Sequence, residues 1–497
     1  MTDHGQGPAP APTVGSGAGS ARSTPSTYLP VSRSEALRAS LSLAAYTAAW
    51  RLGWPLAALY LAWRGWRQRA YLRHWGERFL GSGPAFPAVG FVASLAEPAA
   101  GEAAGPVVWV HAVSVGETRA AQPLVEALAR HDPSLRILLT HMTPTGREAG
   151  AALARALPGR VVQRYLPYDL PGAVRRFLAQ TRPALGLLLE TEAWPNLLAG
   201  AQRAGVPVVL VNARLSERSL QRALRRRALF RRTASRLERI VAQTDADRAR
   251  LAQLYDGPID VAGNLKFDLD PSPAQLDQGR QWRQQLGDRR VWLFANTREG
   301  EEAALTQALA RLDASRTAGT SAGEAPAVRV FVPRHPQRFD EVARAIAAAG
   351  HALVRRSDPR GWGQVPPGAY VLGDSMGEMA MYYAAADVAV VCGSFERLGG
   401  HNLIEACAAG CAVVVGPHTF NFAQATADAV QAGAALQVAD ADAAVAAVAA
   451  LDADPARLAA MRESARAFAA AHRGATSRTV AIVGQLLARR VSGPAAR

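Results

Sequence analysis

The segment from Cys392 to Phe422, CGSFERLGGHNLIEACAAGCAVVVGPHTFNF, orders its residues as an apolar run, a glycine pair, a short helical stretch and a second apolar run. That order builds an anion site. Val388 to Cys392 predicts a buried strand, Gly399 and Gly400 let the backbone approach a ligand closely, and His401 or Asn402 can cap the helix carrying Glu405. A helix start reached through glycines turns unpaired N–H groups and a positive dipole end toward phosphate. Elsewhere, Glu117 in Ser114-Val115-Gly116-Glu117 stands at the start of a predicted helix over Thr118 to Arg130. It can take a proton from a hydroxyl or simply complement the helix dipole. The dipole depresses its basicity and burial raises it. Glu190 and Glu192, in ETEAWPN, are paired acids that should perturb each other's titration, or else cap Trp194 and the helix after it. Lys266 and Arg334 are cations able to neutralise phosphate, the guanidinium through two hydrogen bonds.

Two series of alternating strand and helix patterns position these groups. Val107 to Val113, Arg136 to Thr140, Leu185 to Leu189, Val208 to Val211 and Arg239 to Ala242 read as buried strands. Val291 to Ala295, Val328 to Val332, Tyr370 to Leu372, Val388 to Val391 and Ala412 to Val415 repeat the scheme, with a junction between about Phe267 and Asp288. Such alternation specifies parallel sheets with crossover helices, hence two domains facing a cleft. Ligands in open parallel sheets sit beyond the carboxyl ends of the strands. Glu117, Glu190, Glu192, Arg334 and the glycine pair follow strands in this way, and Lys266 stands at the end of the first domain. Gly373-Asp374-Ser375-Met376-Gly377-Glu378 repeats the strand, glycine loop and helix pattern and offers backbone to a nucleotide.

These residues resemble a known family. Gly393-Ser394, Gly399-Gly400-His401-Asn402, Glu405 and Gly416 to Phe422 are similar to the C-terminal signature of the transferases of 3-deoxy-D-manno-octulosonic acid (Kdo). Further matches lie in RHWGERFLG, SVGE, ETEAWPN, NARLSERS, GNLKFD, VPRHPQRF and GDSMGE, so the resemblance spans most of the chain beyond about Tyr71. It implies the GT-B architecture of two Rossmann-like domains and inverting transfer of Kdo from CMP-Kdo to lipid IVA, the lipid A precursor. It implies Glu117 as general base, and Glu192 or Glu190 with Lys266 as groups stabilising the transition state. For CMP it implies Pro333, Arg334, His335, Met376, Gly377, Glu378, Gly400, Asn402, Leu403, Ile404 and Glu405. Two departures stand out: Asn402-Leu403-Ile404-Glu405-Ala406 replaces Asn-Pro-Leu-Glu-Pro, and Asn296-Thr297-Arg298-Glu299-Gly300 replaces Ser-Thr-His-Glu-Gly. Rivals are another GT-B nucleotide-sugar transferase or a sugar-nucleotide epimerase. A non-enzymatic rival is a basic membrane or nucleic-acid scaffold.

Composition bounds the rest. At 497 residues and 49% hydrophobic, the chain can bury two sizeable cores. The formal charge of +15 calls for an anionic partner. Aromatic residues do not accompany the arginines as single-strand binding would favour, which argues against nucleic acid. Cys392, Cys407 and Cys411 lack the spacing of a disulfide framework or zinc site. No cofactor and no metal are expected, since Thr244 and Asp247 read as a capping box rather than part of an Asp-x-Asp metal motif. Residues 1–34 are too poor in apolar groups to order by burial and read as a disordered tail. Residues 35–70 read as a membrane-associated helix, 71–275 as an acceptor domain and 276–490 as a CMP-Kdo domain. Within 39–63, Arg51 and Pro55 make a span marginal and favour a helix lying in the interface. The arginines that follow, and the resemblance, place the globular part at the cytoplasmic face of the inner membrane. Ten arginines between Arg214 and Arg239 read either as a solvated helix face or as a surface toward anionic lipid.

Overall fold

The computed structural model describes residues 33–83, 105–269, 271–318, 326–358 and 365–492. All of the expected tail but its last two residues lies outside them. The first sheet holds β1 (Val107–His111), β2 (Arg136–His141), β3 (Val161–Tyr165), β4 (Leu185–Leu189), β5 (Val208–Ala213), β6 (Arg239–Ala242) and β7 (Ile259–Val261). They are parallel in the order β3-β2-β1-β4-β5-β6-β7. The second sheet holds β8 (Val291–Thr297), β9 (Val328–Pro333), β10 (Leu353–Arg355), β11 (Tyr370–Leu372), β12 (Val388–Val391), β13 (Ala412–Val415) and β14 (Ala435–Gln437). It too is parallel, in the order β10-β11-β9-β8-β12-β13-β14.

Central strands such as β1, VVWVH, are buried at every residue because helices cover both faces. Each sheet therefore carries an apolar cluster on either side, one of them built on Trp109 and Phe177, another on Trp282 and Tyr382. Two parallel-sheet α/β domains of this kind match the GT-B architecture. The last helix, Ala475–Ser492, follows the second sheet in sequence but buries Ala475, Val480 and Val483 in the core of the first.

Each sheet reverses winding once, at β1/β4 and at β8/β12. Strands diverge there in connection, so their following loops part and leave a crevice. The loops carrying Glu117 and Glu190 leave the first crevice, and those carrying Arg298 and Gly399-Gly400 leave the second.

Helix α1 (Arg33–Arg67) contains Pro55 and lies on the first domain. Thr47 donates to Asn196 Oδ1 at 2.8 Å, and Trp50 meets Tyr168 with ring centroids 5.7 Å apart. Its opposite face leaves Leu52, Leu56, Leu59, Trp63 and Trp66 exposed, at the 4-3-4-3 spacing of one helical stripe. Among the described residues no helix is long and apolar enough to cross a membrane.

Candidate active site

Helix α2 (Val115–His131) starts one loop after β1, and its first turn explains the pose of Glu117. Ser114 caps the helix by accepting from Glu117 N at 3.4 Å. The Glu117 carboxylate reaches back, accepting from Val113 N at 2.8 Å and from Ser114 Oγ at 3.3 Å. This is the reciprocal arrangement of a capping box shifted by one donor. Burial pushes the carboxyl up to about 7, aided by the charges of Glu190 and Glu192 and opposed by the Val113 N–H. A carboxylate so tuned can exchange a proton near neutral pH.

Glu190 follows β4 with φ +56°, a left-handed backbone that an L side chain adopts only when its surroundings fix it. Its buried carboxylate accepts from Arg214 Nε at 2.8 Å and pairs with Lys266 Nζ at 3.3 Å. Lys266 also stands 5.2 Å from the centre of the Phe422 ring, which belongs to the other domain. Glu192 turns aside: Trp194 Nε1 donates to it at 2.8 Å, and burial raises its carboxyl.

Glu117, Glu190, Lys266, Arg214, Arg298 and Gly400 line one cleft of about 410 Å³, together with Ser114, His401, Asn421 and Phe422. One wall is the crevice of the first sheet and the other that of the second. Of the candidates named from the sequence, Glu117, Glu190, Lys266 and Gly400 meet here, whereas Glu192 does not line it.

On the second wall, Gly399 and Gly400 hold φ +92° and +74°, and Gly400 N donates to Gly393 O at 2.7 Å. Asn402 Oδ1 accepts from Ile404 N at 3.1 Å and its Nδ2 donates to Glu405 at 3.0 Å, so its amide is spent on the helix Ile404–Ala408. Leu403 and Ile404, the departure noted above, are buried in the second core. Burial raises the Glu405 carboxyl; its bond from Asn402 and the charges of Arg119 and Arg334 oppose that. Burial lowers the Arg334 guanidinium, as do Arg119 and Arg298 nearby. Arg119 sits on α2, so charges of the two domains already feel one another across the cleft.

The remaining CMP candidates surround the carboxyl ends of β9 and β11. Pro333 ends β9, Arg334 is half-buried beyond it and His335 is exposed. Met376 is exposed, Gly377 accepts from Gln275 at 2.6 Å and Glu378 pairs with Arg356 at 3.1 Å. None of these six lines the cleft. Thr244 accepts from Asp247 N at 3.1 Å, and Asp247 pairs with Arg250 at 2.9 Å, so this acid belongs to a helix cap. Among the described residues no group of three or more His, Cys, Asp or Glu is placed to hold a metal ion.

Arg119, Arg214, Asn421 and Phe422 were not singled out from the sequence as site residues. Arg214 directly follows β5, and the rule that ligand groups gather after strands would have found it. Arg119 carries no such signal, because an arginine one turn into a helix reads as solvated surface.

A family model for 3-deoxy-D-manno-octulosonic-acid transferase (kdotransferase) matches residues 74–269, and one for group 1 glycosyl transferases matches 369–468. The 3-deoxy-D-manno-octulosonic acid transferase of Bordetella pertussis is 52% identical over 378 residues, covering 75% of this chain and 86% of its own length. That of Haemophilus influenzae is 35% identical over 340 residues, covering 67% and 75%. Among solved structures, a glycosyltransferase from Rickettsia africae superposes with a TM-score of 0.51 at 11% identity over 77% of this chain and 99% of that one, a likeness of fold.

Proposed function

The chain belongs to the Kdo transferase family, and from that premise we propose that it moves Kdo from CMP-Kdo onto lipid IVA with inversion, in lipopolysaccharide core assembly. The observation that carries this is the single cleft in which a carboxyl held near 7, an acid paired with a lysine, and a glycine turn converge from two domains. The acceptor oxygen attacks the anomeric carbon while the bond to the CMP phosphate breaks. Glu117 takes the hydroxyl proton, and CMP departs with the electron pair. Since the attack needs the hydroxyl proton removed and the leaving phosphate neutralised on opposite sides, one base and several cations suffice. Lys266, held by Glu190, supplies a cation on the first wall; Arg298 and Arg334 supply cations toward the CMP phosphate. We assign the transition-state role to Glu190 rather than Glu192, because Glu190 lines the cleft and grips Lys266. Arg298 occupies the family's histidine position and brings a permanent charge there.

CMP is held in this reading by the loops after β9, β11 and β12, from Pro333 to Glu405, within residues 276–490. Residues 71–275 take the acceptor. The exposed stripe of α1 and the nearby arginines support seating on the cytoplasmic face of the inner membrane, with α1 in the interface. Incubation with CMP-Kdo and lipid IVA tests the reading: CMP release with a product heavier by one or more Kdo units is expected, and no CMP release overturns it.

A further inference from the structure

A second cavity, of about 610 Å³, lies between α1 and the helices Pro195–Arg203 and Arg227–Ala234, apart from the cleft already described. One side is apolar, formed by Leu43, Ala44, Ala48 and Leu52 of α1. The other carries Arg203, Arg232 and Arg236, with Arg51 entering from α1. Among the described residues none of these four arginines has an acidic partner. Arg236 instead donates to Gln202 and to the Arg232 carbonyl. Arg203 and Arg232 also lower its guanidinium pKa, after burial itself. Like charges gathered beside an apolar wall, without a counter-ion, are costly unless an anion joins them. Leu52 belongs both to the cavity and to the exposed stripe of α1, where it is 82% exposed. A molecule whose anionic group meets the arginines can therefore lay its chain along the stripe.

We propose that this groove binds the phosphate-bearing headgroup of an anionic membrane phospholipid, its acyl chain passing over Leu52 onto α1. Guanidinium groups suit phosphate because they pair with it through two parallel hydrogen bonds. The proposal rests on the reading of α1 as a membrane-contact helix and not on the transfer chemistry. It explains why Arg51, Arg203 and Arg232, all solvent-accessible, gather with the half-buried Arg236 around one cavity under α1.

The test is sedimentation of the full chain with phosphatidylcholine vesicles, with and without phosphatidylglycerol. The triple variant R203Q/R232Q/R236Q is compared with R222Q/R225Q/R226Q, which removes equal charge from exposed positions nearby. Far-ultraviolet circular dichroism checks that both fold. The parent should bind phosphatidylcholine weakly and the mixed vesicles far more tightly. The groove variant should lose on the order of a hundredfold of that gain, and the exposed variant much less. Dihexanoyl phosphatidylglycerol below its micelle concentration should raise the melting temperature of the parent and not that of the groove variant. Equal loss in the two triples reduces the effect to diffuse surface charge and overturns the proposal. So does competition by millimolar inorganic phosphate, which marks a free-phosphate site. Unchanged vesicle binding with a raised KM for lipid IVA gives the groove to the acceptor and also overturns it. A parent that binds neither vesicle sinks the α1 reading together with the groove, while CMP release reports on the transfer reading separately.

Discussion

Lys266 and Glu190 form an ion pair at 3.3 Å, and Glu190 makes it from a left-handed backbone at the point where the first sheet reverses its winding. The same carboxylate holds Arg214 on its other oxygen, so one acid fixes two cations on one wall of the cleft. Glu190→Gln should lower kcat by about a hundredfold, since both cations lose their anchor. Lys266→Ala should do likewise, with partial recovery in Lys266→Arg. Glu192→Gln, whose amide oxygen can still accept from the Trp194 indole, should cost less than tenfold. Steady-state kinetics on the three sites decide it, and a larger loss at Glu192 would move the transition-state role there.

Glu117 should govern the pH profile. With its carboxyl near 7, the rate of a single turnover should rise about tenfold per unit from pH 5 to 6 and level off above about 7.5. Glu117→Gln should cut kcat by about a thousandfold and abolish that limb. Stability carries the opposite sign. The folded state keeps a proton that the unfolded chain gives up between 4.5 and 7, so folding weakens as pH rises through that window. Glu117→Gln should therefore melt higher than the parent at pH 8 and nearly level with it at pH 4. A variant with lost activity but no such stability crossover would assign Glu117 to positioning alone.

The strands that were legible in the sequence are the inner ones. Leu185–Leu189, Arg239–Ala242, Tyr370–Leu372, Val388–Val391 and Ala412–Val415 form as read, because sheets covered on both faces leave near-continuous apolar runs. The four strands not read, β3, β7, β10 and β14, are the four sheet edges. Each is covered less completely, so VVQRY, IDV, LVR and ALQ mix polar with apolar residues and lose the signal. The site divides similarly. Glu117, Glu190 and the glycine pair follow inner strands and were visible for that reason. Phe422 enters the cleft, and the charge of Arg119 reaches Arg334 and Glu405, only through the mutual placement of two domains, which no local pattern encodes.

Two buried histidines should make the first domain acid-labile. His111 sits wholly inside, its ring 2.9 Å from Thr140, and burial with the nearby His141 pushes it down to about 3. His141, held at 3.2 Å by the Ala112 carbonyl and 3.1 Å by Gln163, is pushed down to about 4. Both stay neutral in the fold while the unfolded chain takes up protons below 6.5. Stability is thus complete above about 6.5 and is lost as pH falls toward 4, by about 2 kcal/mol per histidine at pH 5. Urea titrations at pH 7.5 and 5 should show the drop, and His111→Phe should reduce it. An unchanged midpoint would mean that the pair protonates inside the fold.

Glu301 ties the second wall together. Its buried carboxylate accepts from Arg298 N at 2.9 Å, Gly393 N at 2.8 Å and Phe395 N at 3.1 Å, joining the loops after β8 and β12. Ser394 extends the tie by accepting from Gly416 N at 2.8 Å. The glycine turn itself hangs from this frame, since Gly400 donates to Gly393 and Asn421 N donates to Gly399 O at 3.0 Å. Gly399 has no room to vary: its φ is +92°, and an added Cβ would collide with the Asn421 amide. Glu301→Ala strands the buried Gly393 N–H and the half-buried N–H groups of Arg298 and Phe395, and should destabilise the chain by about 2 kcal/mol. Glu301→Gln keeps the acceptor oxygen for part of the frame and should recover at least half of that. If the frame positions the donor, both variants raise KM for CMP-Kdo and leave KM for lipid IVA unmoved. A purely structural role would instead lower the active fraction while leaving both constants at parent values.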